Sequence, residues 1–263
     1  MVSLLDVDSL SYQYEKKTVL DKITLGIKGG EIIGILGPNG CGKTTLLKNL
    51  NKNLKPHGGC VLIEGEDIGG ISKREIAQST AVVPQSNELR FAFTVREIVT
   101  MGRMPFQESF RGETAKDLEI IGRAMEQTGL TEFADRLIST LSGGERQRAI
   151  IARAITQTPK IILMDEPTLH LDINMQFEIL DLIQKLSREN GLAVVIVSHD
   201  LPMVTRYCDR IVLIHDHRIF AMGAPEETLT KENMRTVFNV DAELENDPRS
   251  GRSTVRLFGS CKE

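Results

Sequence analysis

The sequence predicts an α/β fold with a doubly wound sheet at its centre, on three observations. Ile32-Ile33-Gly34-Ile35-Leu36 is an apolar run that empties into Gly37-Pro38-Asn39-Gly40-Cys41-Gly42-Lys43-Thr44, so a buried strand turns through a glycine-rich loop into a helix carrying Leu46, Leu47 and Leu50. Ile161 to Met164 is a second buried run, and it ends in Asp165-Glu166. Ala193 to Val197 is a third, ending in Ser198-His199-Asp200 after an amphipathic stretch from Ile173 to Glu189. Strands buried on both faces lack period-two alternation, and ligands collect at their carboxyl ends.

Composition narrows the function classes. At 263 residues and 41% hydrophobic content, the chain can bury one large core or two modest ones without disulfide or metal staples. The formal net charge is −4 and the Lys and Arg residues are scattered, which argues against a nucleic-acid partner. Cys41, Cys60, Cys208 and Cys261 show no C-x-x-C spacing, as expected of a reduced cytoplasmic protein. No uncharged apolar stretch approaches the roughly 18 residues a membrane span needs. The first residues are acidic where a signal peptide would be basic and then apolar, so neither crossing nor export by that route is expected.

In chain order, Leu4 to Ile27 is strand-like, with Ile23, Leu25 and Ile27 alternating on one face of an antiparallel sheet. Tyr14, one of three tyrosines, either stacks on a nucleotide base or packs in that sheet. The loop from Gly37 to Thr44 points backbone N–H groups inward, and the following helix adds the positive end of its dipole. Lys43 would reach the β- and γ-phosphates of a nucleotide, and the Thr44 hydroxyl would ligate Mg²⁺. A strand at Cys60 to Ile63, a turn at Glu64 to Asp67, a helix at Lys73 to Gln78 and a strand at Thr80 to Val83 follow, closed by Pro84-Gln85.

From Ser86 to Pro159 the period changes from two to about 3.6, which predicts a helical insertion. Thr94-Val95-Arg96-Glu97 is a capping box, and the segment Thr114 to Thr128 is expected to pack through Leu118, Ile121 and Met125. Leu141-Ser142-Gly143-Gly144-Glu145 opens another helix and makes a second anion site. Asp165 is placed to hold Mg²⁺ through its water shell, and Glu166 to orient or deprotonate an attacking water. His199 is either a polar strand exit or a catalytic group. Strands at Arg210 to Ile214 and Arg218 to Met222 complete the core, and short helices lead to a hairpin with arms at 240–245 and 254–258.

Taken together, Gly37 to Thr44, Gln85, Leu141 to Glu145, Asp165-Glu166 and His199 resemble the ATP-binding cassette of ABC transporters. Leu-Ser-Gly-Gly-Glu-Arg-Gln-Arg-Ala at 141–149 is the specific part, and the resemblance covers nearly the whole chain. It implies a P-loop NTPase (RecA-like) core with an antiparallel β subdomain and a helical signature subdomain, in one domain over residues 1–263. The core and β subdomain would take residues 1–86 and 158–222, the helical subdomain 87–157, and C-terminal helices and a hairpin 223–263. ATP and Mg²⁺ are the implied ligands. ATP would be held by Tyr14 stacking on the base, by Gly37, Pro38, Asn39, Gly40, Cys41, Gly42, Lys43, Thr44 and Thr45, and by Ser142, Gly143 and Gly144. Mg²⁺ would be held by Thr44, Gln85 and Asp165, with Glu166, His199 and Gln85 acting in catalysis.

The resemblance also implies partners. Two cassettes, expected to be identical, would dimerise head to tail, so that Ser142 and Gly144 of one chain cap the ATP held by Lys43 of the other. An integral membrane permease and an extracytoplasmic substrate-binding protein complete such a system, placing the chain at the cytoplasmic face of the cell membrane as a peripheral subunit. Thr94 to Val99, with Gly102-Arg103-Met104-Pro105, is similar to importers of iron siderophores, haem and cobalamin, and His170 agrees with that group, while Leu169 replaces its usual small polar residue. An exporter cassette or a soluble member of the superfamily is the alternative. Leu89 and Phe91, in an aromatic-bearing loop after Gln85, are expected to line a docking cleft for a permease cytoplasmic helix, with ordinary core packing as the alternative.

Overall fold

The computed structural model describes residues 3–85, 92–107, 112–247 and 252–261. Leu89 and Phe91 lie outside the described residues. Two compact units are present, Met1–Ile71 with Ala193–Glu263, and Ser72–Leu192.

The first unit begins with β1 (Leu5–Tyr14) and β2 (Lys17–Ile27), an antiparallel pair whose inward residues Leu5, Val7, Leu10, Leu20, Ile23, Leu25 and Ile27 are all buried. Alternation breaks where Ser9 and Lys22 adopt left-handed backbone, φ 48 and 51, and the register shifts there as it does at a bulge. β3 (Ile32–Leu36) is buried throughout and runs into α1 (Lys43–Leu50). β4 (Gly58–Ile63) and β5 (Glu66–Asp67) then complete a four-stranded antiparallel sheet in the order β2-β1-β4-β5. Glu64-Gly65, both at positive φ, form the tip between these last two strands.

The second unit holds α2 (Lys73–Ser79), β6 (Thr80–Val83), α3 (Val95–Thr100), a 3₁₀ stretch Met101–Phe106, α4 (Ala115–Gln127), α5 (Gly143–Thr156), β7 (Ile161–Asp165) and α6 (Ile173–Asn190). Ser72, Thr94, Thr114 and Ser142 each cap their helix reciprocally with an acid three residues on, so four boundaries are marked by the same device. α3 buries Val95, Ile98 and Val99. α4 differs from the expected face: Ile121 and Met125 are buried, but Leu118 is 58% exposed, and Asp117 turns inward in its place.

Asp117 is drawn inward by Arg103. Its carboxylate accepts from Arg103 Nε at 2.7 Å and from the Thr114 hydroxyl at 2.7 Å, while Arg103 Nη1 donates to Thr156 O at 2.9 Å and the guanidinium lies 3.9 Å from the Phe106 ring centroid. The bonds from Thr114, with the Arg103 charge beside them, lower the Asp117 pKa to about 2. Gly102 makes this approach possible, because a Cβ there would meet Arg153 O at 2.2 Å. The Gly-Arg-x-Pro stretch is thus a buried polar hub joining the 3₁₀ segment to α4 and α5. Arg103→Ala, which strands the Asp117 charge, is expected to cost about 3–5 kcal/mol in urea unfolding, and the double replacement of Arg103 and Asp117 by leucine to recover most of it.

The chain then returns to the first unit with β8 (Ala193–Val197), α7 (Leu201–Tyr207), β9 (Arg210–His215) and β10 (Arg218–Gly223). β3 pairs in parallel with β8 on one side and with β9 on the other, and β10 adds antiparallel to β9. Every residue of β3 and β8 is buried, and each such Ile or Val contributes about 1.5–3 kcal/mol relative to exposure. α8 (Pro225–Thr228), α9 (Lys231–Phe238) and the antiparallel hairpin of β11 (Val240–Asp247) with β12 (Arg252–Ser260) end the described chain. All four cysteines are free thiols. Among the described residues, no helix is long and apolar enough to cross a membrane.

Candidate nucleotide-binding site

In the first unit, the loop between β3 and α1 is lined by backbone because the strands beneath it leave no space for side chains. At Gly37, φ 156, a Cβ would lie 2.3 Å from Ile214 O; at Gly42, φ 109, it would lie 2.7 Å from Val19 O. Gly40, φ 80, has nothing within 4 Å of its Cβ position. The Lys43 side chain is only 9% exposed, and its Nζ donates to Gly37 O at 2.7 Å and Pro38 O at 3.0 Å, so the ammonium is held inside the loop. Gly42 supplies no side-chain cap to α1, which leaves the first-turn N–H groups and the dipole to an anion. Thr44 is exposed beside them, while Thr45 is buried and accepts at its carbonyl from Asn49 Nδ2 at 2.8 Å. Pro38 is partly buried and Asn39 exposed. The Cys41 thiol is buried, which pushes its pKa up and leaves it a packing group. A polyphosphate fits this set of donors.

Two further predicted residues belong to this unit. The register Ile35↔Val197 places the ends of β3 and β8 side by side, so His199 leaves β8 next to the loop that leaves β3. His199 is exposed, and its backbone is fixed on both sides: Ser198 Oγ accepts from Asp200 N at 3.0 Å, and Asp200 Oδ1 caps α7 through Met203 N at 3.1 Å. Tyr14 ends β1 at 45% exposure, its ring in a T-shaped pair with Tyr12 at 5.0 Å.

In the second unit, β6 and β7 pair in parallel with Val83 opposite Met164, so Gln85 and the Asp165-Glu166 pair emerge from one edge. Asp165 is buried at 8% exposure, and Glu166 follows in left-handed backbone, φ 52. A non-glycine residue there costs about 1–2 kcal/mol and re-aims the side chain sharply from the strand direction. His170 repeats this conformation at φ 65 before Asp172 caps α6 through Met175 N at 2.9 Å. At the start of α5, Ser142 Oγ accepts from Glu145 N at 3.3 Å while Glu145 Oε2 accepts from Ser142 N at 2.8 Å. The bonds that the Ser142 backbone N–H and side chain give its carboxylate lower the Glu145 pKa. The N–H groups of Gly143 and Gly144 precede the one the cap takes. Gly144 is buried against Met175, while Ser142 and Gly143 are exposed.

Sequence reasoning missed the support beneath the loop. Ile214 and Val19 were readable only as strand residues, and nothing in period or motif assigns their carbonyls to Gly37 and Gly42.

Residues 20–169 match the family pattern described as ABC transporter. The chain is 39% identical over 251 residues to the petrobactin import ATP-binding protein FpuD of Bacillus anthracis, covering 95% of this chain and 92% of the relative. It is 37% identical over 258 residues to the ferric enterobactin transport ATP-binding protein FepC of Escherichia coli, covering 98% and 95%. The cobalamin import ATP-binding protein BtuD of Halobacterium salinarum is 39% identical over 251 residues, and there the match covers 95% of this chain but 63% of the longer relative. A solved structure described as an inward-facing, metal-chelate type ABC transporter superposes with a TM-score of 0.86 at 29% identity, covering 98% of both chains.

Proposed function

Because this chain belongs to the ABC transporter family, we propose that it is the ATP-hydrolysing subunit of an ABC importer of the iron-siderophore, haem or cobalamin type. The observation that carries the mechanism is the presence of two anion sites on one chain, the loop Gly37–Thr45 and the start of α5 at Ser142. One nucleotide does not need both from a single copy. A head-to-tail pair of identical chains uses both, with Ser142, Gly143 and Gly144 of one protomer closing over the ATP held by Lys43 of its partner. The relatives support the importer reading along nearly the full length, and residues 87–157 are then the helical signature subdomain.

In this reading Tyr14 stacks on the base, and the backbone from Gly37 to Thr45 holds the phosphates. Thr44 and Asp165, with Gln85, would hold Mg²⁺, which would supply neutralising charge to the phosphates; hard oxygen donors of this kind suit that ion. Glu166 takes a proton from water as its oxygen bonds to the γ-phosphorus. The bond from that phosphorus to the bridging oxygen breaks, and ADP leaves with the electron pair. His199 donates to a γ-phosphate oxygen from its place at the end of β8. The work reaches a polytopic permease at the cytoplasmic face of the membrane, with an extracytoplasmic binding protein delivering the substrate.

The test is recovery of a tagged Glu166→Gln chain from membranes in Mg·ATP. A separate polytopic permease is the expected companion. Recovery with no membrane protein would overturn the importer reading.

A further inference from the structure

We infer that His217 is a positioning residue for the phosphate-binding loop, an inference that rests on the nucleotide site proposed above. β9 and β10 are joined by Asp216 and His217, both in left-handed backbone at φ 45 and 68. Consecutive left-handed residues make the two-residue hairpin turn that Asp-Gly favours, because glycine takes positive φ without strain. Here the aspartate is present, but an imidazole occupies the position that glycine would fill freely. An outlier of this kind directs attention to what the side chain does.

The imidazole reaches the strand under the loop. His217 Nδ1 lies 3.3 Å from Val19 O, and since a carbonyl only accepts, the ring carries its proton on Nδ1 in this bond. Two more bonds tie the same places together: Asp21 N donates to His217 O at 2.8 Å, and Arg218 Nε donates to Asp21 Oδ2 at 2.8 Å. The Arg218 side chain is 68% exposed, so that ion pair contributes little. The ring bond is different, because its acceptor is the atom that abuts the loop. Val19 O stands 2.7 Å from the Cβ position of Gly42, and Leu20 Cδ2 stands 2.8 Å from it.

Gly42 is the residue from which α1 starts, so the height of Val19 sets where the first turn, and Lys43 with it, begins. At the other end of the loop, Ile214 O of the same hairpin lies under Gly37. Both ends of the phosphate loop therefore rest on the β9–β10 hairpin, one directly through Ile214 and the other through His217 and Val19. Loss of the ring donor lets Val19 move and misplaces the donors that meet the phosphates.

The test is Mg·ATP affinity of the full chain by isothermal titration, with melting temperatures measured alongside. His217→Gly relieves the backbone and removes the donor; the expected result is an unchanged or raised melting temperature with Kd increased about fivefold, the worth of one net hydrogen bond. His217→Asp, which tolerates the left-handed backbone and cannot donate when ionised, is expected to match it, and it serves if the glycine variant does not fold. His217→Asn keeps an N–H donor and the backbone tolerance, and is expected to return Kd to within about twofold of the parent. Parent-like affinity in the donor-less variants, or an asparagine variant as weak as they are, would overturn the inference. Lys43→Ala in the same titration separates the two readings. If it binds like the parent, the phosphate-loop reading falls and the inference with it. If it loses binding while His217→Gly binds normally, only the role of His217 falls.

Discussion

Lys43→Ala is expected to lose Mg·ATP binding in a titration of the isolated protein while keeping its fold. The Lys43 ammonium has three N–H donors, and two already point to Gly37 O and Pro38 O, which places the charge within the curve of the loop. With nucleotide bound the ammonium would exchange those two carbonyls for β- and γ-phosphate oxygens, and since such charge-assisted bonds are worth about 1.5–3 kcal/mol each, loss of two lowers affinity about 10²–10⁴-fold. The loop itself should survive, since Gly37 and Gly42 are seated on Ile214 and Val19 and not on the lysine. Circular dichroism and melting check that part. A variant that still binds and hydrolyses ATP at the parent level would remove the loop from the mechanism.

Glu166→Gln is expected to keep ATP affinity and lose turnover by about 10²–10⁴-fold, the usual worth of a positioned general base. Glutamine has the same shape and inherits the same left-handed backbone, so the strand end and the start of α6 stay as they are. With turnover blocked, Mg·ATP should shift the protein from monomer to dimer on size exclusion, and ADP should not. Phosphate release at the parent rate would mean that another group activates water.

Much of this was legible in the sequence, for reasons that differ by element. The ends of β3, β7 and β8 could be read because an apolar run that stops at a polar residue leaves few alternatives, and the capping box at Thr94 and the Ser-Gly-Gly-Glu start at Ser142 announce their helices locally. Leu118 was misplaced for a physical reason. An arginine on the 3₁₀ segment rewards a carboxylate more than a leucine at that edge of α4, and a long-range ion pair leaves no trace in helical period. The left-handed turn at Glu166 was equally invisible, since no propensity favours glutamate at positive φ and only the packed surroundings impose it. The support of the loop by Ile214, Val19 and His217 is made of backbone carbonyls and one ring nitrogen, which hydrophobic patterning does not register.

The seating of the loop also separates two histories within one motif. Gly37 and Gly42 are demanded from below, by the carbonyls of Ile214 and Val19, whereas Gly40 has open space where a Cβ would go and is required by its backbone alone. A descendant that had abandoned nucleotides would still need glycine at 37 and 42 for as long as it kept the β9–β10 hairpin, and would be free to drift at Lys43. The outer glycines are therefore inherited with the architecture, and the lysine with the chemistry.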